Sequence, residues 1–170
     1  AEGSPRYLWT AFLLLPLALV LDVLDGYVAR LDRRRQSVLG ADLDSLADVI
    51  SFGVAPAVLG FTLGLRGGWD MLVLSYFVVC GVSRLARFNV TSSALADPST
   101  GKVKYFEGTP IPTSIGIVLL LGVAQWLGHT GPDLWFGAVR LGPALLHPLV
   151  LVYGLSGSAM ISATLRIPKP

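Results

Sequence analysis

Five apolar runs, each close to the length of a bilayer crossing, restrict this chain's folds more than any other feature in it. They cover residues 7–30, 40–63, 70–87, 112–127 and 145–165. A spanning helix needs about 20 mostly apolar residues. Only 14% of the chain is charged, against about 25% in soluble domains, so lipid is the expected solvent. Lipid offers no partner to an open backbone group, and glycine or proline inside these runs therefore does not argue against helix. Pro16 predicts a kink in the first. The expected fold is all-α: a polytopic transmembrane helical bundle with five spans, one domain over residues 1–170. The chain does not begin with Met, and a preceding N-terminal piece is expected.

Charge gives the orientation. If the spans alternate, Arg30, Arg33, Arg34, Arg35, Arg84, Arg87, Lys102, Lys104, Arg166 and Lys169 share one side, leaving only Arg6, Arg66 and Arg140 opposite. The positive-inside rule makes the first group cytoplasmic. One cysteine, Cys80, excludes an intrachain disulfide, and with two histidines no zinc site is expected. His129 and His147 receive no chemical role. No nucleic-acid partner is expected. Gly154, Ser158 and Ser162 recur every four residues, and small residues so spaced permit close helix approach. Packing within one subunit and contact in a dimer both fit.

Asp22, Asp25, Asp44 and Asp48 lie at the cytoplasmic ends of the first two spans. An ionisable side chain in a membrane helix is expensive and marks function by default. Spacings of three and four place each pair on one helix face. A short connection makes the two helices antiparallel neighbours, so four carboxylates can converge. Together they would repel, and divalent cations would relieve the repulsion. All-oxygen donors suit Mg²⁺, Mn²⁺ or Ca²⁺. The competing reading is interfacial solvation or helix capping, which suits Asp42 and Asp32 better. Gly26, Ala29 and Gly40 leave room for a bulky ligand, and Arg30 lies near enough to Asp25 to hold a phosphate. Phosphoryl transfer fits this set: metals clamp a pyrophosphate while a spare carboxylate takes a hydroxyl proton.

The pattern Asp22-x2-Asp25-Gly26-x2-Ala29-Arg30-x9-Gly40-x3-Asp44-x3-Asp48 resembles the signature of the CDP-alcohol phosphotransferase family. The resemblance implies six or more spans with a further N-terminal helix, usually as a homodimer in the membrane. It implies a CDP-linked substrate and displacement of CMP by an alcohol. Carried onto this chain, it makes Asp22, Asp25, Asp44 and Asp48 the ligands of two Mg²⁺ or Mn²⁺ ions. Asp48 becomes the general base, and Gly26, Ala29, Arg30 and Gly40 border the CDP-diacylglycerol head. Nothing here corresponds to the polar motif of the family's earlier helix, so part of the cytidine site is undefined.

Three stretches are similar to the branch of that family whose acceptor is serine: 43–57, Arg84-Leu85-Ala86-Arg87-Phe88-Asn89, and Phe106-Glu107-Gly108-Thr109-Pro110-Ile111-Pro112. The closing 166–170 is similar as well. Arginine binds carboxylates bidentately, so Arg84, Arg87 and Asn89 are the candidate L-serine ligands. Simple snorkelling of both arginines is the other reading. Lys102, Lys104, Tyr105 and Glu107 either close over the headgroup or face water. A sister enzyme using inositol or glycerol 3-phosphate is the nearest rival. A cation transporter fits less well, because its carboxylates would lie near the midplane. A bacterial cytoplasmic membrane is expected, with endoplasmic reticulum as the alternative and the active site on the cytoplasmic face.

Overall fold

The computed structural model describes residues 5–31, 38–95, 105–162, 164 and 166–168. Helix α1 (Pro5–Leu31) runs unbroken through Pro16. Helix α2 (Val38–Asp48) continues through a π-helical segment, Val49–Val54, into α3 (Ala55–Leu63). Pro56 causes the wide turn. It has no N–H to give to the carbonyl four residues back, and its ring crowds that carbonyl. The Ala55 N–H reaches Ile50 O, five residues back, instead. Gly64, with φ of 133°, ends α3.

Helix α4 (Gly68–Leu95) follows, then α5 (Ile115–Trp126), entered through a 3-10 turn at Ile111–Ser114. Pro110 and Pro112 bias that entry away from a regular α start. Helix α6 is Leu151–Ile161. Among the described residues, three segments are long and apolar enough to cross a membrane: Tyr7–Val28, Asp42–Leu63 and Gly68–Val90. At 1.5 Å per residue, 22 residues reach about 33 Å. Two shorter apolar helices, Ile111–Trp126 and Pro148–Ile161, complete a polytopic helical bundle.

The last helix is shorter than the apolar run at 145–165 suggests. Leu145 and Leu146 belong instead to a hairpin in which β2 (Val139–Leu141) pairs antiparallel with β3 (Ala144–Leu146). Gly142, with φ of 61°, supplies the positive φ of the two-residue turn. Pro148 then opens a 3-10 turn into α6. At the other end, β1 (Tyr105–Glu107) pairs antiparallel with β4 (Arg166–Pro168). Apolar periodicity did not anticipate either two-stranded sheet.

The most extensive helix contact joins α4 and α6. Phe77 and Tyr153, both fully buried, meet edge-to-face at 5.2 Å. Tyr153 also donates to Pro56 O at 2.7 Å, tying α6 to the helix that follows the π segment. Gly157 lies against the Phe77 backbone and Cys80, and Gly154 against Val73. Ser158 donates to Gly154 O at 2.8 Å and meets Tyr76 Oη at 3.0 Å. Gly154 and Ser158 thus serve packing within the chain. Many large apolar side chains of α1 point outward, among them Leu13, Leu17, Val20 and Leu24, as lipid-facing residues would.

The end of the bundle opposite the aspartates is held by a buried acid. Asp70, at the start of α4, is fully inaccessible. It accepts from Gly67 N at 2.7 Å, from His147 N at 2.8 Å, and pairs with His147 Nδ1. Trp69 Nε1 donates to Leu141 O at 2.8 Å. Together these bonds fasten the hairpin and the start of α6 to α4. His147, given no role from sequence, is a structural partner.

Candidate active site

The last turns of α1 and the body of α2 bring the signature aspartates to one end of the bundle. Asp22 and Asp48 are half-buried, while Asp25, Asp42 and Asp44 are exposed. Asp48 lies within charge range of Asp22, Asp44 and Arg84. Asp44 in turn feels the charges of Asp22 and Asp25. Carboxylates within charge range of one another repel, and a cation among them relieves that repulsion. Among the described residues no three acidic, histidine or cysteine side chains are already closed into a ligand set. The site is therefore a loose gathering of hard oxygen donors at two helix ends. A divalent cation fits that donor chemistry.

Around the carboxylates, a Cβ placed on Gly26 would meet nothing within 4 Å, so open space adjoins Asp25. Gly40 lies exposed in the first turn of α2. Ala29 and Arg30 belong to α1, but their side chains lie outside the described residues, as do the basic residues at 33–35, Lys102, Lys104 and Lys169. The side chains of Tyr105, Glu107 and Arg166 lie outside them too.

From α4, Arg84 reaches the same end. Its residue is 7% exposed, its guanidinium lies 5.8 Å from the Phe88 ring centroid, and it feels both Asp48 and Arg87. Its Nε is buried and has no hydrogen-bond partner among the described residues. A buried donor left unpaired costs about 1–3 kcal/mol, so an incoming acceptor atom would be welcome there. Arg87 Nη2 donates to Ile161 O at 3.0 Å, and Asn89 Nδ2 donates to Ser45 Oγ at 3.1 Å. The three residues singled out on α4 thus stand differently: Arg84 lies within charge range of Asp48, Arg87 holds α6, and Asn89 holds α2 between Asp44 and Asp48. Ser45 was not singled out from sequence, although its place between two signature aspartates was a usable signal.

The sequence profile of the CDP-alcohol phosphatidyltransferase family matches residues 3–152. The chain belongs to the CDP-alcohol phosphatidyltransferase family. Chemistry in this family is generally divalent-metal dependent. The CDP-diacylglycerol–serine O-phosphatidyltransferase of Saccharomyces cerevisiae is 48% identical over 170 residues, covering 99% of this chain and 61% of the yeast protein. An enzyme of the same name from Methanocaldococcus jannaschii is 41% identical over 123 residues, 72% of this chain and 54% of that protein. The archaetidylserine synthase of Methanothermobacter thermautotrophicus is 43% identical over 106 residues, 61% of this chain and 42% of its own length. The chain thus spans between two-fifths and about three-fifths of these family members. No solved structure matches it.

Proposed function

We propose that the protein transfers the phosphatidyl group of CDP-diacylglycerol to the hydroxyl of L-serine, giving phosphatidylserine and CMP. One observation carries the reading: the four aspartates of α1 and α2 gather at the end of the bundle where α4 presents a buried arginine with an unpartnered Nε. Serine is the acceptor word shared by the names of the yeast and archaeal relatives, whatever the lipid.

In this reading Asp22, Asp25, Asp44 and Asp48 hold two divalent ions, Mg²⁺ or Mn²⁺, whose charge offsets that of the pyrophosphate and of departing CMP. Gly26, Ala29 and Gly40 leave space for the CDP head, and Arg30 takes a phosphate oxygen. Asp48 accepts the proton of the serine hydroxyl. The serine oxygen bonds to the β-phosphorus as that phosphorus loses its bond to the bridging oxygen, and the electron pair leaves with CMP. Arg84 takes the serine carboxylate, which satisfies its buried donor, and Arg87 and Asn89 flank it. The acyl chains stay among membrane lipids.

The site faces the cytoplasm in this proposal, by the positive-inside rule. The membrane is a bacterial cytoplasmic one, with endoplasmic reticulum as the alternative; relatives from yeast, bacteria and archaea accommodate both. The working unit is a homodimer.

The test is CMP release by the full-length protein in lipid with Mg²⁺ or Mn²⁺, comparing serine, inositol and glycerol 3-phosphate. Serine-dependent release with phosphatidylserine as product is the expected result. Release with inositol or glycerol 3-phosphate but not serine would overturn the acceptor and keep the phosphotransfer chemistry.

A further inference from the structure

Helix α6 stops at Ile161, and the final turn of an α-helix leaves carbonyls with no partner inside the helix. Here that end is gripped from two directions. Thr109 N donates to Ala159 O at 3.2 Å, and Arg87 Nη2 donates to Ile161 O at 3.0 Å. Gly108, with φ of 73°, passes so close to Met160 O that a Cβ there would collide with it. Directly before Gly108, β1 pairs with β4 in the register Tyr105↔Pro168, Phe106↔Ile167, Glu107↔Arg166. Two stretches far apart in sequence, both similar to the serine-using branch, thus form one clip over the end of α6.

The clip also has a purchase on α4 through Arg87. Arg84 lies three residues earlier on that helix, within charge range of Asp48. The α4–α6 interface below combines glycine contacts at Gly154 and Gly157 with the Phe77–Tyr153 and Tyr76–Ser158 pairs. The glycines permit close approach, and the paired side chains key the helices against axial sliding. The polar grips add to that key at the helix end. Among the described residues, none of these clip contacts involves the four aspartates.

We infer that the β1–β4 clip, with Gly108, Thr109 and Arg87, is a positioning device for the acceptor half of the site. By fixing the end of α6 to α4 it sets the position of Arg84 relative to Asp48. The inference rests on the acceptor reading above. It requires that disturbing the clip be felt by the acceptor and not by the nucleotide lipid.

Two variants of the full-length protein in lipid nanodiscs test it. Gly108→Ala forces the clip off Met160 O, and the expected result is a serine KM raised about tenfold, the loss of one charge-assisted contact. The KM for CDP-diacylglycerol and the metal requirement should not change. Phe106→Cys with Ile167→Cys places a disulfide across paired strand positions, whose Cα separation suits one. Oxidised, this variant should keep the wild-type serine KM within about twofold, because a static brace need not open. Equal change in both KM values for Gly108→Ala, or a lowered melting temperature alone, overturns the inference. So does a crosslink that stops turnover until reduced. If Gly108→Ala does not fold, the crosslinked variant decides. Should the wild type prefer another acceptor, the serine reading falls and the clip is judged by the same split on that acceptor. A wild type releasing no CMP with any acceptor overturns both.

Discussion

Asp70→Ala should cost the protein stability without touching its chemistry. The Asp70 carboxylate is fully buried and accepts from two backbone N–H groups, Gly67 and His147, besides pairing with the His147 ring. Alanine leaves both N–H groups without an acceptor and the ring without its partner. At about 1–3 kcal/mol for each buried donor left unpaired, the loss is about 3–5 kcal/mol. For a chain of this size that corresponds to a fall of about 10–15 °C in melting temperature. Asp70→Asn keeps one acceptor oxygen and should fall between wild type and alanine. Cys80 makes the assay direct. It is the chain's one cysteine and is buried, so a thiol-reactive fluorophore reports unfolding in detergent. Asp70 lies 14 residues from Arg84 on α4, about 21 Å along the helix. Both substrate KM values, measured well below the melting temperature, should therefore stay put. A fall of less than about 3 °C for Asp70→Ala would refute the reasoning, since it would mean the freed N–H groups lose about 1 kcal/mol or less.

Asp48→Asn removes the proposed base and should lower kcat by about 10²–10⁴-fold while leaving CDP-diacylglycerol binding largely intact; CMP release at saturating substrate measures it, and full activity would exclude the role. Arg84→Lys keeps the charge but loses the planar fork, so the serine KM should rise about tenfold or more with little change in the CDP-diacylglycerol KM; equal effects on both would assign Arg84 to phosphate or structure. Stripping divalent ions with EDTA should abolish CMP release, and Mg²⁺ or Mn²⁺ should restore it; turnover that survives chelation would reject metal dependence.

What could be read ahead of the structure followed from strong, local physics. Charged residues in apolar runs are rare, so Asp22, Asp25, Asp44 and Asp48 stood out, and their three- and four-residue spacings gave a shared face without knowledge of the fold. The first three spans were legible because their apolar length exceeds anything else the sequence could do with it. The last was misjudged at both ends: its helix stops at Ile161, and at its start apolar content is the same in a strand as in a helix. Leu145 and Leu146 joined a hairpin because Gly142 and Pro143 make a turn, a local signal that the apolar run masked. Asp70 followed the rule that flagged the other aspartates, yet it was taken only as a span boundary. Its partner is 77 residues away, and no local spacing could have named it. The links from Arg87 to Ile161 and from Asn89 to Ser45 were hidden for the same reason.

The wide turn after Asp48 has a consequence for chain length. Each i+5 bond encloses one residue more than an α-helical bond does, so the span from Val38 to Leu63 carries slack. Shortening an ordinary helix by one residue swings everything beyond the cut by about 100°. Removing one residue between Val49 and Val54 would draw on that slack, with the turn at Pro56 still lacking its α-helical bond. Asp44 and Asp48 would keep their heading on one side, and Pro56 would keep its place under Tyr153 on the other. The stretch between the carboxylates and the packed half of the span is thus the place in this helix where a change of length can be absorbed.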